Sequence, residues 1–261
     1  MMVLATTSVA AAKPSNPAFL GIGMHDEPDG CHVDNVTRGS GAKAAGLRAS
    51  DVIMAIDKSP TPSCNVILAS VQGHTAGDRV ELLIQRGGRV LTINADLVSR
   101  DEIMRRRLVG QTMVATELMG VDDDRMVDLS SLRGKTAIVG LFDLSRCADC
   151  NSVFGKLATW TRAQADKGGA VPVSLAVSVA PLGSQLKVVK PIGLDVPLAI
   201  ADRAMFEELT VPDSERISFM VIDCRGVVQY VAPIAPNGDD TDAAIDELFA
   251  AAEQASRRSM K

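Results

Sequence analysis

Aromatic side chains are scarce in this 261-residue chain: six Phe, one Trp and one Tyr make up 3%. Histidine is scarcer, with only His25, His32 and His74, all in the first third. Basic residues are in no excess, since 27 Lys and Arg face 32 Asp and Glu for a net charge of −5. No basic stripe with interleaved aromatics occurs, which removes the usual footprint of nucleic-acid binding. No apolar run approaches the roughly 18 residues that a membrane-spanning helix needs. There are five cysteines, an odd number, so at least one thiol stays free or pairs between chains.

Against these absences, 46% of the chain is apolar and 23% charged. Such a chain buries cores and is not disordered, and its length points to two domains. The N-terminal "MMVLATTSVAAAKP" carries an apolar stretch and an Ala-x-Ala ending, Ala10 to Ala12, without the Lys or Arg of a signal-peptide n-region. We expect residues 1–16 to be a tail or signal-peptide remnant. We expect the protein to be exported to the periplasm or cell envelope, with the cytoplasm as the alternative.

The pattern changes along the chain. Residues 17–100 read as short strands with turn signals: "AFLGIGMH", "GCHVDNVT", "DVIMAID" and the hairpin "RVELLIQRGGRVLTINADL". Gly87-Gly88 supplies the positive φ of its tight turn. Two helical pieces interrupt them, "SGAKAAGL" and "SCNVILASVQG"; the second has Ser63 as N-cap candidate and ends at Gly73. Residues 101–107, within "SRDEIMRRRL", read as a linker helix. From residue 108 to 261, buried strands ("TAIVGLF", "AVPVSLAVSV") alternate with helices ("CNSVFGKLATWTRAQAD", "ADRAMFEELT"). A late hairpin, "SFMVIDCRGVVQYVA", precedes an amphipathic C-terminal helix. This is a mixed α/β arrangement with helices on both faces of a sheet.

"FLGI", "TRGSGAKAAGLRASDVIMAID" and "HTAGDRVELLIQRGG" together resemble the PDZ domains of HtrA-type bacterial proteases, over nearly all of residues 17–97. The resemblance implies a small, mainly-β open barrel with two helices. A loop ending in Leu20-Gly21-Ile22 can aim consecutive N–H groups at a peptide's C-terminal carboxylate, and the strand after it can pair with an added peptide strand. Ile22, Ile67 and Val71 are expected to wall an apolar pocket, Ile67 and Val71 sharing a helix face at i and i+4. The alternative is that these side chains only fill the core. The expected partner is a protein or peptide C-terminus.

"VDLSSLRGKTAIVGLFDLSRCADC" and "FMVIDCRGVV" resemble the exported TlpA/ResA-like thiol-disulfide oxidoreductases of the thioredoxin superfamily, over residues 108–255. The resemblance implies an α/β thioredoxin fold in which Cys147 and Cys150 form a redox pair. Two cysteines at i and i+3 on a helix share a face within disulfide reach. At a helix N-terminus Cys147 is the expected nucleophile and Cys150 the resolving thiol. Arg146 favours the thiolate and Asp149 opposes it. The chain departs from the family at three places: Arg146 replaces the usual Trp, Leu141 the buried acid, and Ile217 the cis-Pro. General disulfide reduction is therefore expected to be weak.

Other readings are weaker. All three histidines lie in the first half, so no second ligand pair accompanies Cys147 and Cys150, and no metal or other cofactor is expected. A peroxiredoxin-like peroxidase would place Thr or Ser three residues before its reactive Cys, where Leu144 stands before Cys147. A non-catalytic peptide-binding adaptor with a degenerate thioredoxin fold is the competing class. Cys224 is expected at an exposed hairpin turn. Cys31 and Cys64 suit pairing in an oxidising compartment, but sequence does not give their separation.

Overall fold

The computed structural model describes residues 17–113, 117–120, 126–128, 132–143, 149–166, 172–179, 196–202 and 216–259. The chain forms two compact units, Met1–Ile103 and Met104–Lys261.

Among the described residues the first unit holds six strands: β1 (Ile22–Glu27), β2 (Gly30–Val36), β3 (Val52–Ile56), β4 (Ser59–Pro60), β5 (Arg79–Arg86) and β6 (Arg89–Asp96). Two helices, α1 (Gly41–Ala44) and α2 (Cys64–Gln72), lie among them. The strand order is β1-β2-β3-β5-β6, with β4 attached to β3. The expected barrel is thus an unclosed sheet, with β1 at one edge. β5 and β6 pair antiparallel around Gly87 (φ +53°) and Gly88 (φ +77°), the turn their sequence predicts, and β5 alternates exposed and buried residues. The core gathers Leu20, Val33, Leu47, Ile53, Ile56, Ile67, Val71, Leu82 and Ile84. A buried carboxylate, Asp51, accepts 2.6 and 2.7 Å bonds from Arg86 and a third from the Arg48 N–H at 2.8 Å. This pins the start of β3 to the end of β5.

Helix α3 (Arg100–Leu108) spans the boundary between the units. On the side of the second unit Met104 and Leu108 are buried, and the Ser218 hydroxyl donates to the Met104 sulfur at 3.6 Å.

Among the described residues the second unit has seven strands: β7 (Glu117–Gly120), β8 (Met126–Asp128), β9 (Ala137–Phe142), β10 (Val173–Val179), β11 (Leu198–Ala201), β12 (Ile217–Ile222) and β13 (Val228–Ile234). They are ordered β13-β12-β9-β10-β11-β7-β8. β9, β10 and β11 run parallel, while β12 and β13 run antiparallel to their neighbours. Every residue of β9 and β12 is buried, which is why β9 reads as a continuous apolar run and β12 carries only Ser218 among apolar residues. Helices α4 (Cys150–Asp166) and α5 (Thr241–Ser259) share one core with these strands. Its centre is a line of rings, with Phe142 5.1 Å from Phe154 and Phe154 5.7 Å from Phe219. Gly140 makes room for it, since a Cβ there would stand 2.7 Å from Phe219. Trp160 stacks on Phe249 at 4.5 Å and joins α4 to α5. The helix expected at "ADRAMFEELT" lies outside the described residues.

Candidate peptide groove and thiol site

In the first unit, Leu20 and Gly21 approach β1 as a loop with both carbonyls engaged. The Ala42 N–H donates to the Leu20 carbonyl at 3.2 Å, and the Thr37 N–H to the Gly21 carbonyl at 2.9 Å. Both residues are buried, yet among the described residues their own N–H groups meet no hydrogen-bond acceptor. Buried backbone donors are almost always paired, so two adjacent ones without an acceptor among the described residues make this loop a candidate anion site. Gly21 has φ +80°, and a Cβ would lie 2.2 Å from the Ser40 Cβ, so only glycine fits. Ser40 is fixed in turn: its hydroxyl donates to the Thr37 carbonyl at 2.7 Å and accepts from the Lys43 N–H at 3.2 Å.

From this loop β1 runs along the sheet edge, open to an added strand, and α2 packs against β1 and β2. Ile22 is half-buried at the edge of the core, whereas Ile67 and Val71 are buried within it. The large apolar side chain that α2 leaves in solvent is Leu68, 47% exposed. Sequence reasoning missed it because a helix face is assigned to core or groove only by packing.

The N-terminus of α2 is held by two groups from the β1–β2 hairpin. Asp26 accepts from the Cys64 N–H at 2.6 Å, supplying the cap that the Ser63 side chain does not make. Cys64 is joined to Cys31 of β2 by a disulfide with Cα atoms 4.8 Å apart.

In the second unit, Cys150 is the first residue of α4, is 1% exposed, and is disulfide-bonded. Cys147 and Arg146 lie outside the described residues. Asp149 is exposed and accepts a 2.7 Å bond from the Asn237 side-chain amide, a partner 88 residues away that the sequence does not suggest. Ile217 is fully buried at the start of β12, in the core that contains Cys150, and the Arg216–Ile217 bond is trans. Leu141 is buried in β9. Cys224 is a free thiol, half-buried rather than exposed. Beside it Asp223 accepts from the N–H groups of Arg225 (2.9 Å) and Val227 (3.0 Å), the Arg225 guanidinium (2.8 Å) and the Gln229 amide (3.0 Å). Burial acts to raise the Asp223 pKa, but these donors outweigh it and hold the carboxyl below its ordinary value.

The PDZ domain family model matches residues 18–97, and this part of the chain is a PDZ domain. The second unit is thioredoxin-like: β9-α4-β10 is a parallel crossover, β12-β13-α5 an antiparallel hairpin and helix, and the four strands lie in the order β13-β12-β9-β10. Among characterised proteins no relative of the sequence is found. Solved structures similar to parts of the chain include one described as a protein disulfide isomerase, from Bacteroides thetaiotaomicron. It is 21% identical with TM-score 0.42, and the match covers 56% of this chain and 90% of that one. A thiol:disulfide interchange protein DsbE from Chlorobium tepidum is 18% identical with TM-score 0.44, covering 55% and 97%. The HtrA-type protease AlgW with a decapeptide is 23% identical with TM-score 0.31; the match covers 32% of this chain and 30% of the protease.

Proposed function

We propose that this protein is a thiol-disulfide oxidoreductase whose PDZ domain holds the protein it acts on. The observation that carries the reading is Cys150: buried, at the first residue of α4, and disulfide-bonded. Cys31 is joined to Cys64 and Cys224 is free. We assign Cys147, three residues earlier in the sequence, as its redox partner, because that spacing suits a short redox-active loop.

In the reaction the Cys147 thiolate attacks one sulfur of a substrate disulfide. That S–S bond breaks, a mixed disulfide forms, and the first substrate thiolate leaves and takes a proton. The Cys150 thiolate then attacks the Cys147 sulfur and releases the second substrate thiolate. Substrate is reduced by two electrons and the Cys147–Cys150 pair is oxidised. Exchange with an external dithiol restores it. The PDZ domain contributes by holding a substrate C-terminus and raising its effective concentration at Cys147. Two disulfides suit an oxidising compartment, and we place the protein outside the cytoplasm. Among the described residues no helix is long and apolar enough to cross a membrane.

The test is a redox titration of the full chain together with trapping by Cys150→Ser. The expected results are a reversible two-electron couple lost in Cys147→Ser, and mixed disulfides through Cys147 in Cys150→Ser. A chain that binds C-terminal peptides but exchanges no thiols is the adaptor instead.

A further inference from the structure

The β1–β2 hairpin carries a second group of chemistry-bearing side chains that neither peptide binding nor thiol exchange uses. His25 and His32 are directly paired across the two strands, so both side chains leave the same face, with ring centroids 5.7 Å apart. Glu27, two residues after His25, shares that face. Its carboxylate reaches both rings: Oε1 is 3.0 Å from His25 Nε2, and Oε2 is 3.9 Å from His32 Nε2. Asp29, in the turn, places Oδ1 2.7 Å from His32 Nε2. The donor atoms of Glu27, Asp29 and His32 all lie within 4.8 Å of one another. Behind them, Asp34 Oδ1 sits 2.6 Å from His25 Nδ1.

We propose that this face of the PDZ hairpin is a Zn2+ site, with His32 Nε2, Glu27 and Asp29 as ligands, His25 Nε2 as the fourth, and Asp34 as the positioning carboxylate behind His25. The argument is one of donor type and spacing. Zinc is bound tetrahedrally by imidazole nitrogen and carboxylate oxygen at about 2.0–2.2 Å, which sets neighbouring ligand atoms roughly 3.3–3.5 Å apart. The separations of 2.7, 3.0 and 3.9 Å bracket that value; Glu27, Asp29 and His32 already lie together, and the half-exposed His25 ring, outside that group of three, has to turn toward His32 and Asp29 to complete the sphere. At the 2.7 and 3.0 Å contacts an imidazole N–H donates to a carboxylate oxygen, and a bound cation would take the place of that hydrogen. Asp34 supplies what metal-bound histidines usually have, an acceptor on the far ring nitrogen that fixes the tautomer and aims the other nitrogen at the metal. Two carboxylates balance the charge of a divalent ion, and the imidazoles favour zinc over the hard cations that take oxygen alone. Four protein ligands make the site structural: it clamps the hairpin whose first strand forms the edge of the peptide groove.

The experiment is isothermal titration of the oxidised full chain with ZnCl2, with Cys224 alkylated so that no thiolate competes. One Zn2+ per chain is expected. His32→Gln and His25→Gln should each weaken binding at least about 10-fold. Asp34→Asn should weaken it about 10- to 100-fold although Asp34 touches no metal, the range for a group that orients a metal-bound histidine. Zinc should shift the Nε2 rather than the Nδ1 resonances of His25 and His32 in 15N spectra. Because the side chains are on the surface, the variants should keep their circular dichroism and their affinity for C-terminal peptides measured without zinc. Absence of zinc uptake overturns the proposal, and so does undiminished binding by the His25→Gln/His32→Gln double variant.

Discussion

At the scale of single residues, two positions carry more than their chemistry announces. Gly21 is one. Any side chain there meets Ser40 and forces a left-handed backbone that costs roughly 1–2 kcal/mol. Gly21→Ala is expected to abolish binding of free C-terminal peptides and to lower the thermal midpoint of the PDZ domain, read by fluorescence anisotropy and calorimetry. Asp223 is the other. Its folded pKa is lowered: burial opposes ionisation, but the Val227 N–H and Arg225 outweigh it. A depressed carboxylate stabilises the fold above its unfolded pKa, near 4, and that stability is lost as pH falls through the lower folded value. Asp223→Asn should therefore cost roughly 1–3 kcal/mol from pH 5 to 7, the range for hydrogen bonds to a charged group. The difference from wild type should shrink below about pH 4. Urea midpoints at pH 7, 5 and 3 check it, and a pH-independent difference would contradict the assignment.

Elements are held here by tethers that cross long stretches of sequence. Helix α2 is nine residues, too short to persist alone, and Ser63 gives it no side-chain cap. Asp26 and the Cys31–Cys64 disulfide anchor its N-terminus to the strands that form the opposite side of the groove. A cross-link between residues 33 apart stabilises by about 4 kcal/mol through the entropy of the unfolded chain. We expect Cys64→Ser to lose much of that and to weaken C-terminal peptide binding several-fold, because one wall of the groove is released. Unchanged affinity in the variant, at a temperature where it remains folded, would separate the disulfide from the groove. Reductant should reproduce the loss of peptide affinity in wild type and leave the peptide affinity of Cys64→Ser unchanged.

For the whole molecule, the proposed coupling between peptide capture and thiol exchange is a matter of concentration. A disulfide substrate with a free apolar C-terminus should be reduced with a higher kcat/KM than the same substrate amidated, by about 10- to 100-fold. That is the range for losing a charge-assisted hydrogen bond of roughly 1.5–3 kcal/mol. A cysteine-free peptide with the same C-terminus should raise the KM of the tailed substrate and leave an untailed one untouched. Inhibition of both equally would mean that the peptide acts at the thiol site and not in the PDZ domain.

Local pattern alone determined a good deal. The Gly87-Gly88 hairpin, the apolar run of β9, the β12–β13 hairpin and the α4 and α5 helices were legible because turn chemistry and burial write themselves into neighbouring residues, while the loop at Gly21 was reached through resemblance to PDZ domains. The four-residue strands β7 and β11 were not, since four residues carry too little periodicity to register. Tertiary structure alone decided the rest. It joined Cys31 to Cys64, gave α2 the cap of Asp26, placed Asn237 on Asp149, buried Ile67 and Val71 while exposing Leu68, and set His25 opposite His32. Each is a relation between residues apart in sequence, fixed by strand register and helix docking, and a one-dimensional pattern holds no measure of that distance.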